Sequence, residues 1–303
     1  MSPILIAEFI LLAALWGASF LFMHLGAAEF GALPTAGLRV GLAALFLLPV
    51  FLVKGVWADF KRRAGLILFV GVLNSALPFA LYSYAVLHIA TGLSAILNAT
   101  VPLSGAVVAW LWLKDKPEGT RILGLIVGFA GVALLILGKA GFTLMPSADA
   151  NASSSQTLTA MGACLLATLC YGIAASFTKR HLAGAHPLAT AAGSQIGASL
   201  VLLIPTLSLW PSQAVSATAW LAVATVAMFC TSIAYILFFH IIEKAGPAKA
   251  LTVTFLVPVF AMFYGVAFLH ESITLWTMGC GAVILVGTGL STGMVRFRTV
   301  KRV

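Results

Sequence analysis

The stretch LNATVPLSGAVVAWLWLKD, residues 97–115, is an apolar segment with Pro102 near its centre, and it recurs as VTFLVPVFAMFYGVAFLHE, residues 253–271, around Pro258. The two prolines lie 156 positions apart, and the acidic residues that close the two stretches repeat at the same interval. A proline inside a helix removes one backbone hydrogen bond and bends the helix. The sequence therefore predicts two related helices, each with a bend at its proline.

The composition is that of a membrane protein. Hydrophobic residues make up 61% of the 303 residues and charged residues 8%, whereas about a quarter of the residues in a soluble domain are charged. Apolar segments long enough to cross a bilayer predict an all-α polytopic membrane protein with ten transmembrane helices. The predicted spans are residues 3–23, 35–53, 64–87, 91–113, 121–138, 158–177, 187–209, 219–242, 248–269 and 275–295.

The basic residues lie in short clusters between these spans, a pattern typical of membrane topology rather than of a nucleic-acid-binding face. Every Lys and Arg outside the spans, except Lys139, falls on the side that holds both termini. The positive-inside rule then predicts cytoplasmic N and C termini in a bacterial inner membrane. The four cysteines lie in apolar runs without metal-ligand spacing, so no metal and no cofactor is predicted.

An internal repeat organises the chain. AGLRVGLAALFLLP, residues 36–49, aligns without gaps on AGSQIGASLVLLIP, residues 192–205, again at an interval of 156. Each repeat contains five spans, an odd number, so the second copy must cross the bilayer in the opposite direction. Inverted repeats are typical of transporters, with the substrate site between the halves. The predicted organisation is a first repeat at 1–138, a linker at 139–157, a second, inverted repeat at 158–295 and a basic cytoplasmic tail at 296–303.

Particular residues carry a family resemblance. Trp16 and Gly17 in the first span, Arg39 in the second, the mid-helix prolines and the FLHE that ends at Glu271 resemble the drug/metabolite transporter superfamily, in its EamA-like branch, over essentially the whole chain. Within that branch the chain is similar to bacterial aromatic amino acid exporters. The resemblance implies a basket of ten helices that exports small metabolites. One departure is KDK at 114–116, where the family more often has a Gly-Glu pair.

Polar and aromatic side chains within the spans are the candidate substrate contacts. In each proline-containing span, small residues and one amide or hydroxyl share a helix face with the proline. Close packing would explain the small residues, but the polar groups favour a central cavity with the prolines as hinges. The predicted substrate contacts are Trp16, Asn74, Tyr82, Asn98, Tyr171, Thr254, Arg39 and Gln195, and the predicted hinges are Pro102 and Pro258.

Arg39 lies well inside a span, and its counterpart in the second repeat is Gln195. An ionisable group within the membrane is costly and usually functional, which favours substrate binding. The alternative is that the side chain extends to the membrane surface and bonds neighbouring carbonyls. Because the sequence places no acid in the middle of a span, a simple carboxylate proton relay is disfavoured, and both proton coupling and facilitated diffusion stay open.

These patterns predict a secondary transporter, surrounded by lipid, that exports small amphipathic metabolites by alternating access, in particular amino acids including aromatic ones. A passive pore is the alternative. An intramembrane enzyme is weaker, because it would rest on a single G-x-S ending at Ser19 and on His240 as a base. The sequence is therefore not predicted to encode an enzyme.

Glycines three or four residues apart mark two further helices. GxxxG spacing can indicate either a dimer interface or close packing within one chain. A monomer or a weak homodimer is therefore expected. The glycines are Gly124, Gly128 and Gly131 in the fifth span and Gly289 and Gly293 in the tenth.

Overall fold

The computed structural model describes residues 2–139 and 154–293, and these residues form helices without any strand. A helix satisfies its own backbone polar groups, which a segment in hydrocarbon requires. The elements, in chain order, are α1 (Pro3–Phe30), α2 (Ala32–Val53), α3 (Trp57–Gly71), the π-helical segment π1 (Val72–Ala76), α4 (Leu77–Ala85), α5 (Thr91–Asn98), α6 (Val101–Leu113), α7 (Gly119–Lys139), α8 (Ser154–His181), α9 (Pro187–Ser208), α10 (Ala217–Ala227), the second π-helical segment π2 (Met228–Ile233), α11 (Ala234–Ala245), α12 (Pro247–Leu251), α13 (Val253–Leu269) and α14 (Leu275–Ser291).

Within the described residues, nine helical segments are long and apolar enough to cross a membrane, and α14 is a shorter apolar helix. Four of the nine combine several elements: Trp57–Ala85 contains π1, Ala217–Ala245 contains π2, Thr91–Leu113 joins α5 to α6, and Lys249–Leu269 joins the end of α12 to α13. The tenth predicted span corresponds to α14, and its last two residues lie outside the described part of the chain.

Several helices run past the predicted spans because caps, rather than the limits of the apolar runs, end them. The Ser2 hydroxyl accepts a hydrogen bond from the Leu5 amide at 3.3 Å at the start of α1. Gly31, with φ at 82°, ends the same helix. Glu29 consequently lies in the last turn of α1, whereas the sequence placed it in a loop.

The helices also extend into both ends of the predicted linker. Lys139 is the last residue of α7, and α8 begins at Ser154. The intervening residues 140–153 lie outside the described residues, as does the predicted tail at 296–303.

The two halves pack through repeat-related helix pairs, α1 with α13 and α8 with α6, while α2 packs extensively on α9. Glycine permits the close approach in both related pairs. A Cβ added to Gly17 would lie 2.6 Å from Cβ of Phe260 and 3.0 Å from the amide nitrogen of Ala261. A Cβ added to Gly172 would lie 3.0 Å from the amide nitrogen of Gly105, the repeat counterpart of Ala261.

The glycines of α7 face other helices of the same chain. A Cβ on Gly124 would meet the backbone of α14 at Ser291 and Gly287, and a Cβ on Gly131 would lie 2.9 Å from Ile284 of that helix. This packing accounts for the glycine spacing of the fifth span without a second copy of the chain.

The helix interruption in the first half coincides with the expected proline. α5 ends at Asn98, α6 begins at Val101, and Pro102 occupies the first turn of the new helix. The Thr100 hydroxyl donates to the Leu97 carbonyl at 2.7 Å within the break. A side-chain bond of this kind competes with regular helical bonding.

The interruption in the second half is displaced from its proline, and the bend expected at Pro258 stays a prediction. Pro258 lies inside α13, and the break falls six residues earlier, at Thr252 between α12 and α13. The Thr252 hydroxyl donates to the Lys249 carbonyl at 2.7 Å. The local threonine bond, together with the short α12, sets where the chain turns.

Candidate functional site

A cavity of about 380 Å³ lies between the two halves, near the lower end of the roughly 300–1,000 Å³ of small-molecule sites. The first half contributes residues of α1, α2, π1, α4, α5 and α6, and the second half contributes residues of α8, π2, α11, α12 and α13. Apolar and aromatic side chains form most of its wall. The polar lining residues are Ser19, Arg39, Asn74, Tyr82, Asn98, Tyr171, Thr231, Tyr235 and Thr254.

Most of the predicted substrate contacts meet at this cavity. The residues concerned come from both halves and are Trp16, Arg39, Asn74, Tyr82, Asn98, Tyr171 and Thr254. Their role in binding a substrate stays a prediction.

Gln195 is the exception among the predicted contacts. It does not line the cavity but is fully buried, and its Nε2 donates to the Ser75 hydroxyl at 2.9 Å. It faces π1 because α9 packs against that segment. A direct contact between Gln195 and a solute in the cavity is therefore not supported.

Hydrogen bonds between cavity residues fix the orientation of several polar groups. The Tyr82 hydroxyl donates to Oδ1 of Asn98 at 2.9 Å, and Nδ2 of Asn74 donates to the Tyr235 hydroxyl at 3.4 Å. The Thr254 hydroxyl, at the start of α13, donates to the Leu251 carbonyl at the end of α12 at 2.8 Å. Among the described residues, nothing accepts from the amide nitrogen of Asn98, which can therefore serve a solute.

Aromatic rings pack on one another around the cavity. Trp16 lies 5.2 Å from Phe238 between ring centroids, and Tyr82 lies 5.7 Å from Phe20 in an edge-on arrangement. Tyr171 stacks at 6.5 Å on Tyr82 and so joins the two halves. Rings held in this way form an apolar wall for the uncharged part of a solute.

Arg39 is buried, with 5% of its surface exposed, and does not extend to the membrane surface. Its Nε donates to the Thr231 hydroxyl at 3.0 Å, and its Nη1 lies 3.1 Å from the Met23 sulfur. The guanidinium carbon lies 3.6 Å from the centroid of the Phe79 ring, a cation–π contact. The alternative in which Arg39 bonds neighbouring backbone carbonyls is therefore wrong.

The two π-helical segments begin at positions related by the repeat, Val72 and Met228. Single π-helical turns occur frequently at functional sites. Sequence reasoning missed both segments, and with them Thr231. The repeat interval could have indicated Thr231, because its counterpart Ser75 lies beside Asn74, which was predicted.

Tyr235 and Phe238 were also missed as site residues. Both line the cavity from α11. Aromatic residues in spans are usually packing residues, so their type alone could not distinguish them.

Glu271 joins the ends of two helices that line the cavity, α5 and α13. Its carboxylate accepts from the Thr91 amide at 2.7 Å, from the Thr91 hydroxyl at 2.9 Å and from the Gly92 amide at 3.5 Å. We call this the Glu271 end. A carboxylate just before the tenth predicted span is expected to favour the N-terminus of that helix, but Thr274 caps α14 instead, accepting from the Thr277 amide at 3.2 Å.

The opposite end lacks the equivalent contact. Asp115, the repeat counterpart of Glu271, lies 3.4 Å from Nζ of Lys179, and both side chains are more than half exposed. α5 packs on α13 at the Glu271 end, whereas the described residues show no comparable packing of α12 on α6. Of the lining residues, Tyr82 near the Glu271 end is 2% exposed and Leu251 of α12 is 48% exposed. Among the described residues, the two halves are therefore joined more tightly at the Glu271 end than at the α12 end.

The pairing required by the enzyme alternative is not formed. Nδ1 of His240 lies 2.9 Å from Oε2 of Glu8, and no hydrogen bond in the described part of the chain joins His240 to Ser19. Nor do the described residues contain three or more His, Cys, Asp or Glu grouped to hold a metal ion.

Comparisons with known proteins agree with this architecture. A family model described as the EamA-like transporter family matches the chain twice, at residues 3–137 and 158–293. The uncharacterized transporter YvbV of Bacillus subtilis (strain 168) is 25% identical over 269 residues, which cover 87% of this chain and 83% of that protein. A probable terminal-alkyne amino-acid exporter of Streptantibioticus cattleyicolor is 29% identical over 110 residues, 36% of this chain and 37% of that protein.

A solved crystal structure has a TM-score of 0.64 with this chain at 16% sequence identity, and the match covers 95% of this chain and 96% of the other. This likeness shows a shared fold. With its apolar helices and the family match, the chain is a multi-pass membrane protein.

Proposed function

The chain belongs to the EamA-like transporter family of the drug/metabolite transporter superfamily, and from that premise we propose that it exports small amphipathic metabolites, in particular amino acids including aromatic ones. The observation that carries the proposal is the cavity between the halves, with aromatic walls, a few oriented polar groups and the cation of Arg39. Such a lining suits a solute with one apolar part and one polar end. The similarity to a probable amino-acid exporter, although it covers 36% of the chain, supports the same substrate class.

We further propose that ten helices form two inverted repeats that give alternating access to this cavity. The proposal is supported by repeat-related contacts that cross between the halves and by the difference between the cavity's two ends. In this proposal both termini lie on the cytoplasmic side of a bacterial inner membrane. The Glu271 end then faces outward, and the cavity opens to the cytoplasm at the α12 end.

Movement between the two states requires segments that bend. We assign this role to Pro102 and Pro258 with the breaks beside them, because an interrupted helix has fewer backbone bonds to lose when it bends. Closing the α12 end would bring α12 toward α6, where Asp115 lies. Opening the other end would separate Thr91 from Glu271.

Transport in reconstituted vesicles tests the proposed function. Purified protein is incorporated into liposomes, and uptake of radiolabelled amino acids is measured with and without a proton gradient. We expect saturable uptake and counterflow, because a carrier returns loaded with solute from the opposite side. Uptake that neither saturates nor shows counterflow would instead identify a passive pore.

A pair of tryptophan variants links transport to the cavity. Trp16 lines the cavity, whereas Trp110 is 42% exposed on α6 and does not line it. We expect Trp16→Ala to raise the KM for an aromatic amino acid and Trp110→Ala to leave it unchanged. The same KM for both variants would place the binding site elsewhere.

A further inference from the structure

Arg39 is held by neutral partners on several sides. Its Nε bonds to Thr231, whose own hydroxyl donates to the Val226 carbonyl at 2.8 Å, and the Phe79 ring covers one face. A guanidinium has five N–H donors in a rigid fork, and among the described residues nothing accepts from Nη2. The fork therefore has fixed orientation and unused donors where Arg39 borders the cavity.

The internal repeat shows which part of the Arg39–Thr231 contact needs the positive charge of Arg39. Arg39 of α2 bonds to Thr231 of π2, and its counterpart Gln195 of α9 bonds to Ser75 of π1, the counterpart of Thr231. Both bonds cross between the halves, at 3.0 Å and 2.9 Å. Since a neutral amide makes the equivalent contact in one half, joining the halves does not require the positive charge of Arg39.

The described lining of the cavity contains no fixed anion to neutralise that charge. Arg39 is the only Lys, Arg, Asp or Glu among the described residues that line it. A cation away from water is unfavourable unless an anion reaches it. A solute carboxylate is the planar, two-oxygen group that a guanidinium fork fits best.

We propose that Arg39 binds the carboxylate of the transported solute, so that the cavity takes carboxylate-bearing solutes and discriminates against the corresponding amides and amines. This inference rests on the proposed function and specifies its substrate class. The apolar part of the solute then lies against the rings of Trp16 and Phe238, and the free amide nitrogen of Asn98 is a further donor.

Competition in vesicles containing the wild-type protein tests the inference without any variant. Counterflow of radiolabelled L-phenylalanine is measured, without ion gradients, against phenylalaninamide, 2-phenylethylamine and 3-phenylpropionate. We expect 3-phenylpropionate to compete and the amide and amine to compete at least about tenfold more weakly than phenylalanine, because charge-assisted hydrogen bonds are lost. Equal competition by the amide or the amine would overturn the inference.

Arg39→Gln recreates the contact that Gln195 makes in the other half, and Arg62→Gln makes the same change at an exposed position outside the cavity. We expect Arg39→Gln to abolish the preference for phenylalanine over its amide and Arg62→Gln to retain it. A folded Arg39→Gln protein that keeps the preference would overturn the inference, and if this variant does not fold, the wild-type competition decides.

The two proposals fail in different ways. Transport of phenylalanine without discrimination against its amide and amine overturns the role of Arg39 alone. If folded wild-type protein transports no amino acid of a panel that includes phenylalanine and leucine, the proposed function is wrong and the carboxylate inference falls with it.

Discussion

Gly71, the last residue of α3, lies where the backbone of that helix meets the backbone of α9. A Cβ added there would overlap the Ser194 carbonyl oxygen and lie 3.0 Å from the Ala198 amide nitrogen. Backbone atoms cannot rotate away as a side chain can. The residue therefore determines how closely the two halves approach beside π1.

We expect Gly71→Ala to lower stability by about 1–3 kcal/mol, the usual cost of overpacking, measured as a fall in Tm of the detergent-solubilised protein. Gly41→Ala is the matched control, because it also lies within a helix and a Cβ there meets nothing within 4 Å. Alanine is the better helix former, so Gly41→Ala should leave Tm unchanged or raise it. Equal Tm values for the two variants would contradict this account.

At the scale of helices, Glu271 and Asp115 occupy equivalent positions in the repeat but make different contacts. Both follow a residue in the left-handed region, His270 at φ 55° and Lys114 at φ 59°. Gly265 leaves space for the Glu271 carboxylate, since a Cβ at that position would overlap it. Only Glu271 reaches the start of a helix in the other half.

We expect Glu271→Gln to weaken closure at the Glu271 end, because the hydrogen bonds to Thr91 then lose their ionised acceptor. A hydrogen bond to a charged group contributes about 1.5–3 kcal/mol. Cys230 is a native reporter, since it lines the cavity and is 1% exposed. We expect more labelling of Cys230 when an impermeant maleimide is added outside right-side-out vesicles. Peptide mass spectrometry identifies the labelled cysteine. Asp115→Asn is the control and should not increase it, and an equal increase in both variants would contradict this role of Glu271.

At the scale of the whole molecule, the repeat interval was the most informative feature of the sequence. It paired Arg39 with Gln195, and the structure gives both residues equivalent contacts with the opposite half. It could not show that Gln195 is buried against π1 and does not line the cavity, because helix–helix packing decides which side chains reach a shared space. It also paired Pro102 with Pro258, although the breaks lie at different distances from them.

Other features depend on long-range contacts that local sequence does not encode. The π-helical segments have no pattern distinct from an α-helix, since one extra residue in a turn changes neither composition nor hydropathy. The partner of Glu271 lies 180 positions away in the chain, so a local rule assigned the carboxylate to the nearest helix start.

The uncompensated charge of Arg39 has an electrical consequence. In a carrier closed at one end, most of the voltage falls across the closed part, so the site stays close to the potential of the open side. With an empty site, or with a zwitterionic amino acid bound, a switch between the two states moves one positive charge through the field, worth about 2.3 kcal/mol per 100 mV. With a monocarboxylate bound, the loaded site is neutral.

We therefore expect an inside-negative potential to slow outward release of phenylalanine more than that of 3-phenylpropionate. Efflux from vesicles with potentials set by potassium gradients and valinomycin measures both. An equal response of the two solutes would mean that the Arg39 charge does not cross the field. The charge of a single arginine would then make selectivity between two solutes of nearly the same shape depend on the membrane voltage.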